Sequence, residues 1–197
     1  MIRVPVQTFN RISRACGNEP ERPFMQGVLV ESTASGKVIC TASDGKILAC
    51  ERTGFVTGVP ASQTLIAPLY SEQSTECRHV SGDVVVIPGA ACWVERDGMP
   101  VEFLQPLPYK YIDWRASALP KKAPKKPTVP VSFSARHIEK LLSTTPSGGI
   151  VFPEFIDVNS SVVVNDPDVP EWFGLFMPVL DGDKRNLQPA IIPGWFE

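Results

Sequence analysis

Residues 22–52, RPFMQGVLVESTASGKVICTASDGKILACER, decide how this chain folds. Three runs in this stretch are rich in apolar and β-branched residues, which favours strands at 24–31, 37–42 and 47–52. Ser43-Asp44-Gly45 separates the last two runs, and Asp followed by Gly is typical of a tight turn. The stretch therefore predicts three consecutive strands, the last two of them joined by a short turn.

A strand and an amphipathic helix precede this stretch. Residues 2–6 alternate between apolar and polar side chains, as an entering strand does, and residues 7–16 have helical spacing. The predicted helix has an apolar face and a basic face, formed by Phe9, Ile12 and Cys16 on one side and by Arg11 and Arg14 on the other.

The order strand, helix, strands recurs twice more in weaker form. The second copy has strands at 64–67, 83–87, 91–96 and 101–104, a short helix at 69–80, and a hairpin turn at Asp97-Gly98. The third copy has a strand at 129–133, a helix at 135–143 capped by Ser134, and strands at 150–152, 155–158, 161–164 and 173–178. On the last helix, Ile138, Leu141 and Leu142 are expected to point inward.

These copies predict an α+β fold of about three half-units, each a helix packed on antiparallel strands. Two half-units are expected to form a domain at 1–119. Residues 120–130 hold four lysines and four prolines, which is typical of an extended connector. A further half-unit is expected at 131–180, followed by an irregular tail at 181–197.

Composition limits the classes of protein that fit. The 197 residues carry a net charge of −2, so no strong overall field attracts nucleic acid, and 20 prolines favour short strands and turns over long helices. The five cysteines form no paired motif, and neither a signal peptide nor an apolar run of membrane-spanning length is visible. A cytoplasmic protein with reduced cysteines, no metal and no cofactor is therefore expected.

Three short segments resemble one family in the correct order. Met25-Gln26-Gly27 and residues 42–49 resemble the middle-domain strand and turn of the bacterial DNA polymerase III beta subunit, the sliding clamp. Tyr111-Ile112-Asp113-Trp114-Arg115 resembles the segment that leaves that domain, and residues 176–180 resemble the end of the clamp chain. The chain departs from the family in its shorter length, in Lys46 and Ile47 at the turn, and in the residues that follow 180.

The resemblance implies a non-catalytic processivity factor that associates with duplex DNA without reading its sequence. Clamps surround DNA with basic helix faces that attract phosphates. The residues expected to contact DNA are Arg11, Arg14, Lys121, Lys122, Lys125, Lys126, Arg136 and Lys140. Several copies of the chain are expected to assemble into a homo-oligomeric ring.

The resemblance also implies an apolar groove that accepts short peptides from DNA polymerase and other clamp-binding proteins. Methionine, leucine and proline form an adaptable wall for such anchors. The matching positions are Met25, Ser43, Lys46, Ile47, Leu48, Ile112, Leu175, Met177, Pro178 and Val179. For Leu48 and Leu175, a purely structural role in the core is an equal alternative.

Three other interpretations stay open. A clamp-fold interaction module or decoy that does not encircle DNA fits the reduced length and the altered turn, and an unrelated β-rich protein would make the matches coincidental. An enzyme has less support, because no phosphate loop or nucleophile motif is present, and Asp44 and Asp113 both lie in turn contexts. Residues 187–196, which mix a glutamine, aliphatics and an aromatic pair, form either a groove-docking tail or a cap on the core.

Overall fold

A computed structural model shows two antiparallel sheets and a few short helices among the described residues, which are 1–55, 58–69, 81–117, 134–148, 151–154 and 161–177. The first unit, residues 2–55, contains β1 (Ile2–Pro5), α1 (Val6–Ser13), a 3-10 helix (Pro23–Met25), β2 (Val28–Ser32), β3 (Lys37–Ser43) and β4 (Ile47–Phe55). The second unit, residues 62–104, contains β5 (Ser62–Ile66), β6 (Asp83–Ile87), β7 (Ala91–Arg96) and β8 (Met99–Leu104). After α2 (Trp114–Ser117), the third unit, residues 135–176, contains α3 (Ala135–Leu142), β9 (Phe152–Glu154), β10 (Val162–Asn165) and β11 (Trp172–Phe176).

Strand exchange ties the units together. The sheets have the orders β1-β6-β7-β8 and β5-β2-β3-β4-β11-β10-β9. The first strand of each of the first two units pairs with the other unit, β1 with β6 and β5 with β2. The third unit joins the larger sheet through antiparallel pairing of β11 with β4.

The larger sheet is covered by apolar side chains on both faces. On one face, Phe9 and Ile12 of α1 pack with buried residues of both sheets, and Leu141 of α3 joins the same cluster. On the other face, Leu29, Leu48 and Leu175 pack with Tyr111 and Trp114 of the segment that follows the second unit. Alternation along the strands explains this division, because successive side chains point to opposite faces.

The predicted α+β class with antiparallel strands is confirmed. The largest shift within the decisive stretch is at residues 24–27, which were predicted as strand. Pro23 has no backbone N–H and starts a 3-10 turn instead, so β2 begins at Val28. Asp97 and Gly98 form the predicted hairpin turn, both with positive φ.

The prediction for one side chain of the last helix is wrong. Leu141 is buried and Ile138 is half-buried, but Leu142 is 41% exposed. Leu141 alone makes the buried contact of α3 with β11 at this point, because its side chain fills the space beside Gly174. The helix therefore presents a narrower apolar face than its sequence predicts.

Several predicted elements lie outside the described residues. These are the helix at 69–80 apart from its first residue, the strand at 129–133 and the strand at 155–158, together with the connector at 120–130 and the tail at 181–197. Among the residues that are described, no helix has the length and apolar character needed to cross a membrane. The division into domains stays a prediction.

Candidate functional site

A groove of about 260 Å³ opens where the β3–β4 turn meets the end of β11. Its floor is apolar and well buried, because Leu48 and Leu175 face each other across the β4–β11 pair and each is at most 3% exposed. Met25 closes one end, and Met177, which is 41% exposed, lies at the rim. The groove therefore depends on the third unit, since β11 supplies one of its walls.

Side-chain caps hold the turn that forms the opposite wall. The Ser43 hydroxyl donates to the Ile47 carbonyl oxygen at 2.7 Å and accepts the Gly45 N–H at 3.0 Å. The Asp44 carboxylate accepts the N–H groups of Lys46 and Ile47, each at 2.9 Å. Asp and Ser form such local hydrogen bonds readily, which is why this sequence turns here.

Lys140 of α3 anchors the same turn from outside. Its ammonium donates to Asp44 Oδ2 at 2.5 Å and to the Cys16 carbonyl oxygen at 2.9 Å. Burial opposes ionisation of Asp44, but the Lys140 ammonium and the two backbone N–H groups outweigh it and hold the pKa of this carboxyl below its usual value. The ion pair therefore ties α3 and the end of α1 to the wall of the groove.

The rim of the groove is cationic. Arg22 and Lys46 both line it and are exposed, whereas none of the described residues that line it is acidic. Within the described part of the chain, the one ion pair of the Arg22 side chain is a long contact of 3.5 Å to Glu19, whose side chain is itself exposed. Three serines, Ser43, Ser117 and Ser161, add hydroxyl groups around the floor. Such a lining suits a ligand that combines an apolar group with a negative charge.

The structure brings together most of the residues predicted for the groove. Eight of the ten line it, namely Met25, Ser43, Lys46, Ile47, Leu48, Ile112, Leu175 and Met177. Pro178 and Val179 lie outside the described residues. Five lining residues were not predicted, namely Arg22, Gly45, Ser117, Ser161 and Phe176. Arg22 and Gly45 lie within the decisive stretch and could have been named from it, whereas no local signal marks Ser161.

The predicted DNA contacts divide into engaged and exposed side chains. Arg11 binds the Glu51 carboxylate at 2.7 and 2.8 Å, and Lys140 is engaged by Asp44. Arg14 and Arg136 are exposed, and Arg14 also donates to the Ser143 carbonyl oxygen at 2.8 Å. This bond places the end of α1 next to the end of α3. Lys121, Lys122, Lys125 and Lys126 lie outside the described residues.

Two further charged side chains, Asp113 and Arg115, have structural partners. The Asp113 carboxylate accepts the Ala116 N–H at 3.1 Å within a helical turn, whereas the Asp44 carboxylate pairs with Lys140. Arg115 forms an ion pair with the buried Glu31 and stacks over Trp114. Burial raises the pKa of the Cys50 thiol to about 12. No group of three metal-binding side chains occurs among the residues described.

Solved structures of bacterial clamps superpose on most of this chain. The DNA polymerase sliding clamp of Bacillus subtilis matches 90% of the chain with a TM-score of 0.68 and 15% identity. The Helicobacter pylori beta clamp bound to a DNA ligase peptide matches 90% with a TM-score of 0.66 and 10% identity. DNA polymerase III subunit beta of Borrelia burgdorferi, in complex with a natural product, matches 92% with a TM-score of 0.64 and 11% identity. The fold is that of a DNA sliding clamp.

The likeness lies in the fold rather than in the sequence. No protein-family model and no curated protein matches the chain. The chain spans 63 to 65% of the length of these three clamps.

Proposed function

We propose that this protein is a non-catalytic, sliding-clamp-like factor that docks short peptides of DNA polymerase and repair proteins and associates with duplex DNA independently of sequence. The observation that carries the proposal is the groove at the β4–β11 junction, with its buried apolar floor and cationic rim. The clamp fold and its helices support the DNA-associated part.

The lining of the groove defines the peptides that it fits. Leu48 and Leu175 form a floor for a leucine or aromatic anchor, with Met25 at one end, and burial of such anchors supplies most of the affinity in peptide grooves. Lys46 and Arg22 at the rim favour an acidic residue close to the anchor. Peptides that combine these two features are the proposed ligands.

Binding of known clamp ligands tests the docking proposal. We would titrate the DNA ligase peptide of the Helicobacter pylori complex, and griselimycin, which occupies a Pseudomonas aeruginosa clamp. Met177→Glu should weaken binding about tenfold, or about 1.4 kcal/mol, because it places a charge on the apolar rim. Leu142→Glu is the matched control, since Leu142 is equally exposed but lies on α3. The docking proposal fails if neither probe binds the wild-type chain.

Charge at the rim gives a finer test of the same site. A peptide with Asp beside the anchor should bind about two- to fivefold more tightly than its Asn analogue, the range expected of an exposed ion pair. Lys46→Gln should remove most of this preference and leave the affinity for the Asn peptide unchanged. Equal binding of the two peptides to the wild-type chain would show that the rim does not select charge.

Salt dependence tests the association with DNA. The exposed side chains Arg14 and Arg136 support this part of the proposal because they leave guanidinium groups on the surfaces of α1 and α3. The logarithm of the affinity should fall linearly with the logarithm of salt concentration, by about 0.9 per phosphate contact. Replacement of both arginines by Gln should flatten that slope, whereas an unchanged slope would remove them from the interface.

A second candidate is a clamp-fold interaction module that does not encircle DNA. The engagement of Arg11 by Glu51 and of Lys140 by Asp44 favours it, because both side chains are occupied within the chain. Retention on closed circular DNA distinguishes the two functions. Protein that resists a salt wash on circular DNA and leaves after linearisation encircles it, whereas protein lost from both forms acts as a module.

A further inference from the structure

The segment that follows β11 starts at the rim of the groove. The Met177 N–H donates to the Lys46 carbonyl oxygen at 2.8 Å, and Met177 is the last residue of the chain that the structure describes. Met177 and Lys46 both line the groove. Residues 178–197 therefore leave the sheet directly beside an apolar floor and a cationic rim.

The sequence of the tail contains the chemistry that this groove selects. Trp195-Phe196 is the only aromatic pair in residues 178–197, and Glu197 follows it directly. A large apolar anchor beside a carboxylate matches the buried floor formed by Leu48 and Leu175 and the positive charge above it. The tail thus carries the two features proposed above for external peptide ligands.

The connector at 120–130 is a poorer occupant of the same groove. It follows α2, whose Ser117 also lines the groove, so it too starts close to the site. However, its four lysines have the same sign of charge as the rim, and it contains no aromatic residue. Because like charges repel and an anchor is missing, the tail is favoured over the connector.

We infer that the groove binds the tail of its own chain, with the Trp195-Phe196 pair on the apolar floor and Glu197 beside Lys46 on the rim. An external peptide then has to displace the tail before it can dock. The inference rests on the proposed function, because it assumes that this groove is the peptide site. It adds that the chain limits access to that site.

The length of the tail allows this contact within one chain. Residues 178–194 separate Met177 from the aromatic pair. An extended chain covers about 3.3–3.6 Å per residue, so a segment of this length can leave the rim and return to it. A ligand joined to its site by a short linker has an effective concentration on the order of 1 mM. A tail with an intrinsic dissociation constant of about 0.1 mM would therefore weaken the binding of an external peptide about tenfold.

The affinity of the full chain for an external peptide tests the inference. The DNA ligase peptide of the Helicobacter pylori complex should bind Trp195→Ser/Phe196→Ser about tenfold more tightly than wild type, because the competing anchor is gone. Phe103→Ser/Tyr109→Ser is the matched control, since both of these aromatic side chains are exposed and neither lines the groove. This control should keep the wild-type affinity.

Binding of the tail as a separate peptide gives a readout that does not depend on the ligase peptide. A synthetic peptide of residues 185–197 should bind the full chain carrying Trp195→Ser/Phe196→Ser, and should bind wild type about tenfold more weakly. Adding Met177→Glu to that variant should weaken the binding about tenfold, because it places a charge on the apolar rim.

A double-mutant cycle locates Glu197. In the full chain, Glu197→Gln should raise the affinity for the ligase peptide about two- to fivefold, the range expected of an exposed ion pair. In a Lys46→Gln background the same change should have little effect, because its partner on the rim is absent. Equal effects in the two backgrounds would overturn the contact between these side chains.

Three further outcomes separate the inference from its alternatives. Equal affinities of wild type and Trp195→Ser/Phe196→Ser for both peptides overturn it, and a lower melting temperature of that variant would then assign the aromatic pair to the core. Inhibition that disappears on dilution of the wild-type chain also overturns it, because the tail of a neighbouring copy would then fill the groove. If the tail peptide binds and the ligase peptide binds neither chain, the inference stands and the proposed docking of foreign peptides fails.

Discussion

The β3–β4 and β7–β8 hairpins contain the same dipeptide at their turns and have different surroundings. In the first hairpin, Gly45 has positive φ and Asp44 uses its carboxylate to cap the N–H groups that follow. In the second, Asp97 and Gly98 both have positive φ, the geometry of a type I′ turn. Asp-Gly therefore predicts a tight turn, but it does not define which residue occupies the left-handed position.

The larger difference lies in what covers each hairpin. Lys140 of α3 binds Asp44, and β11 pairs with β4, so the first turn becomes a wall of the groove. Asp97 and Gly98 are exposed, and β8 keeps its apolar side chains in contact with solvent. Docking of the third unit thus makes one of two similar hairpins the wall of a groove. Three matched pairs of substitutions test this conclusion.

Weakening the packing of β11 against the first hairpin should have the largest effect on stability. Trp172 of β11 is fully buried, and Trp172→Ala should lower the free energy of unfolding by about 3–5 kcal/mol, the cost of a large cavity. Trp93→Ala is the comparison, because Trp93 lies beside the uncovered β8 and is half-buried. For Trp93→Ala, chemical denaturation should show that the free energy of unfolding falls by about 1–2 kcal/mol. If both variants lost the same free energy of unfolding, the packing of β11 on β4 would stabilise the fold no more than the exposed region around β8 does.

Neutralising the aspartate of each turn should have an intermediate effect. The folded pKa of Asp44 lies below its unfolded value, so its contribution to stability is complete above the unfolded pKa and disappears as pH falls through the folded pKa. Asp44→Asn should lower the free energy of unfolding by about 1–2 kcal/mol at neutral pH. This loss is smaller than that of a fully buried charged hydrogen bond, because the Lys140 side chain is 30% exposed.

The pH profile separates the ion pair from a general loss of stability. Unfolding free energy measured from neutral to acidic pH should fall less steeply for Asp44→Asn than for the wild type. Asp97→Asn should follow the wild-type profile, because Asn tolerates the left-handed conformation and the side chain is exposed. Parallel profiles for the wild type and Asp44→Asn would show that Lys140 does not stabilise the turn through charge.

Alanine at each turn glycine should have the smallest effect on stability and the sharpest contrast in binding. Gly45 and Gly98 have φ of 83° and 77°, so each substitution should cost about 1 kcal/mol of backbone strain. A Cβ at Gly45 would also lie 2.9 Å from Arg22 Nη1, whereas a Cβ at Gly98 would have no neighbour within 4 Å. Only Gly45→Ala should therefore weaken binding of groove ligands. Equal binding by both variants would place the ligand away from this turn.

Local sequence predicted most elements because their signals are short-range. Alternation of apolar residues located β3, β4, β6 and β7 to within a few residues, and the two Asp-Gly pairs marked their turns. The resemblance to clamps named residues as far apart as Met25 and Met177, which the structure places in one groove. A resemblance can do this because it transfers long-range pairing that periodicity does not contain.

Side-chain partners across the units could not be predicted from periodicity. Arg11 and Lys140 both look like solvated basic residues in the sequence, yet Glu51 and Asp44 engage them. Ser161 reaches the groove only because β10 follows β11 in the sheet. The Arg11–Glu51 and Lys140–Asp44 contacts each join residues that are 40 or more positions apart in the sequence.

By itself, the sequence determined the positions of the strands and turns, because apolar alternation and the Asp-Gly dipeptides act over a few residues. Only the tertiary structure decided that β11 pairs with β4 while β8 has β7 as its one neighbour among the described strands, since strand pairing depends on which long-range partner is available. It also decided which basic side chains are occupied and which stay exposed. A local pattern specifies an element, whereas the packing of the third unit makes one hairpin the wall of a groove and leaves its counterpart exposed at the end of the described sheet.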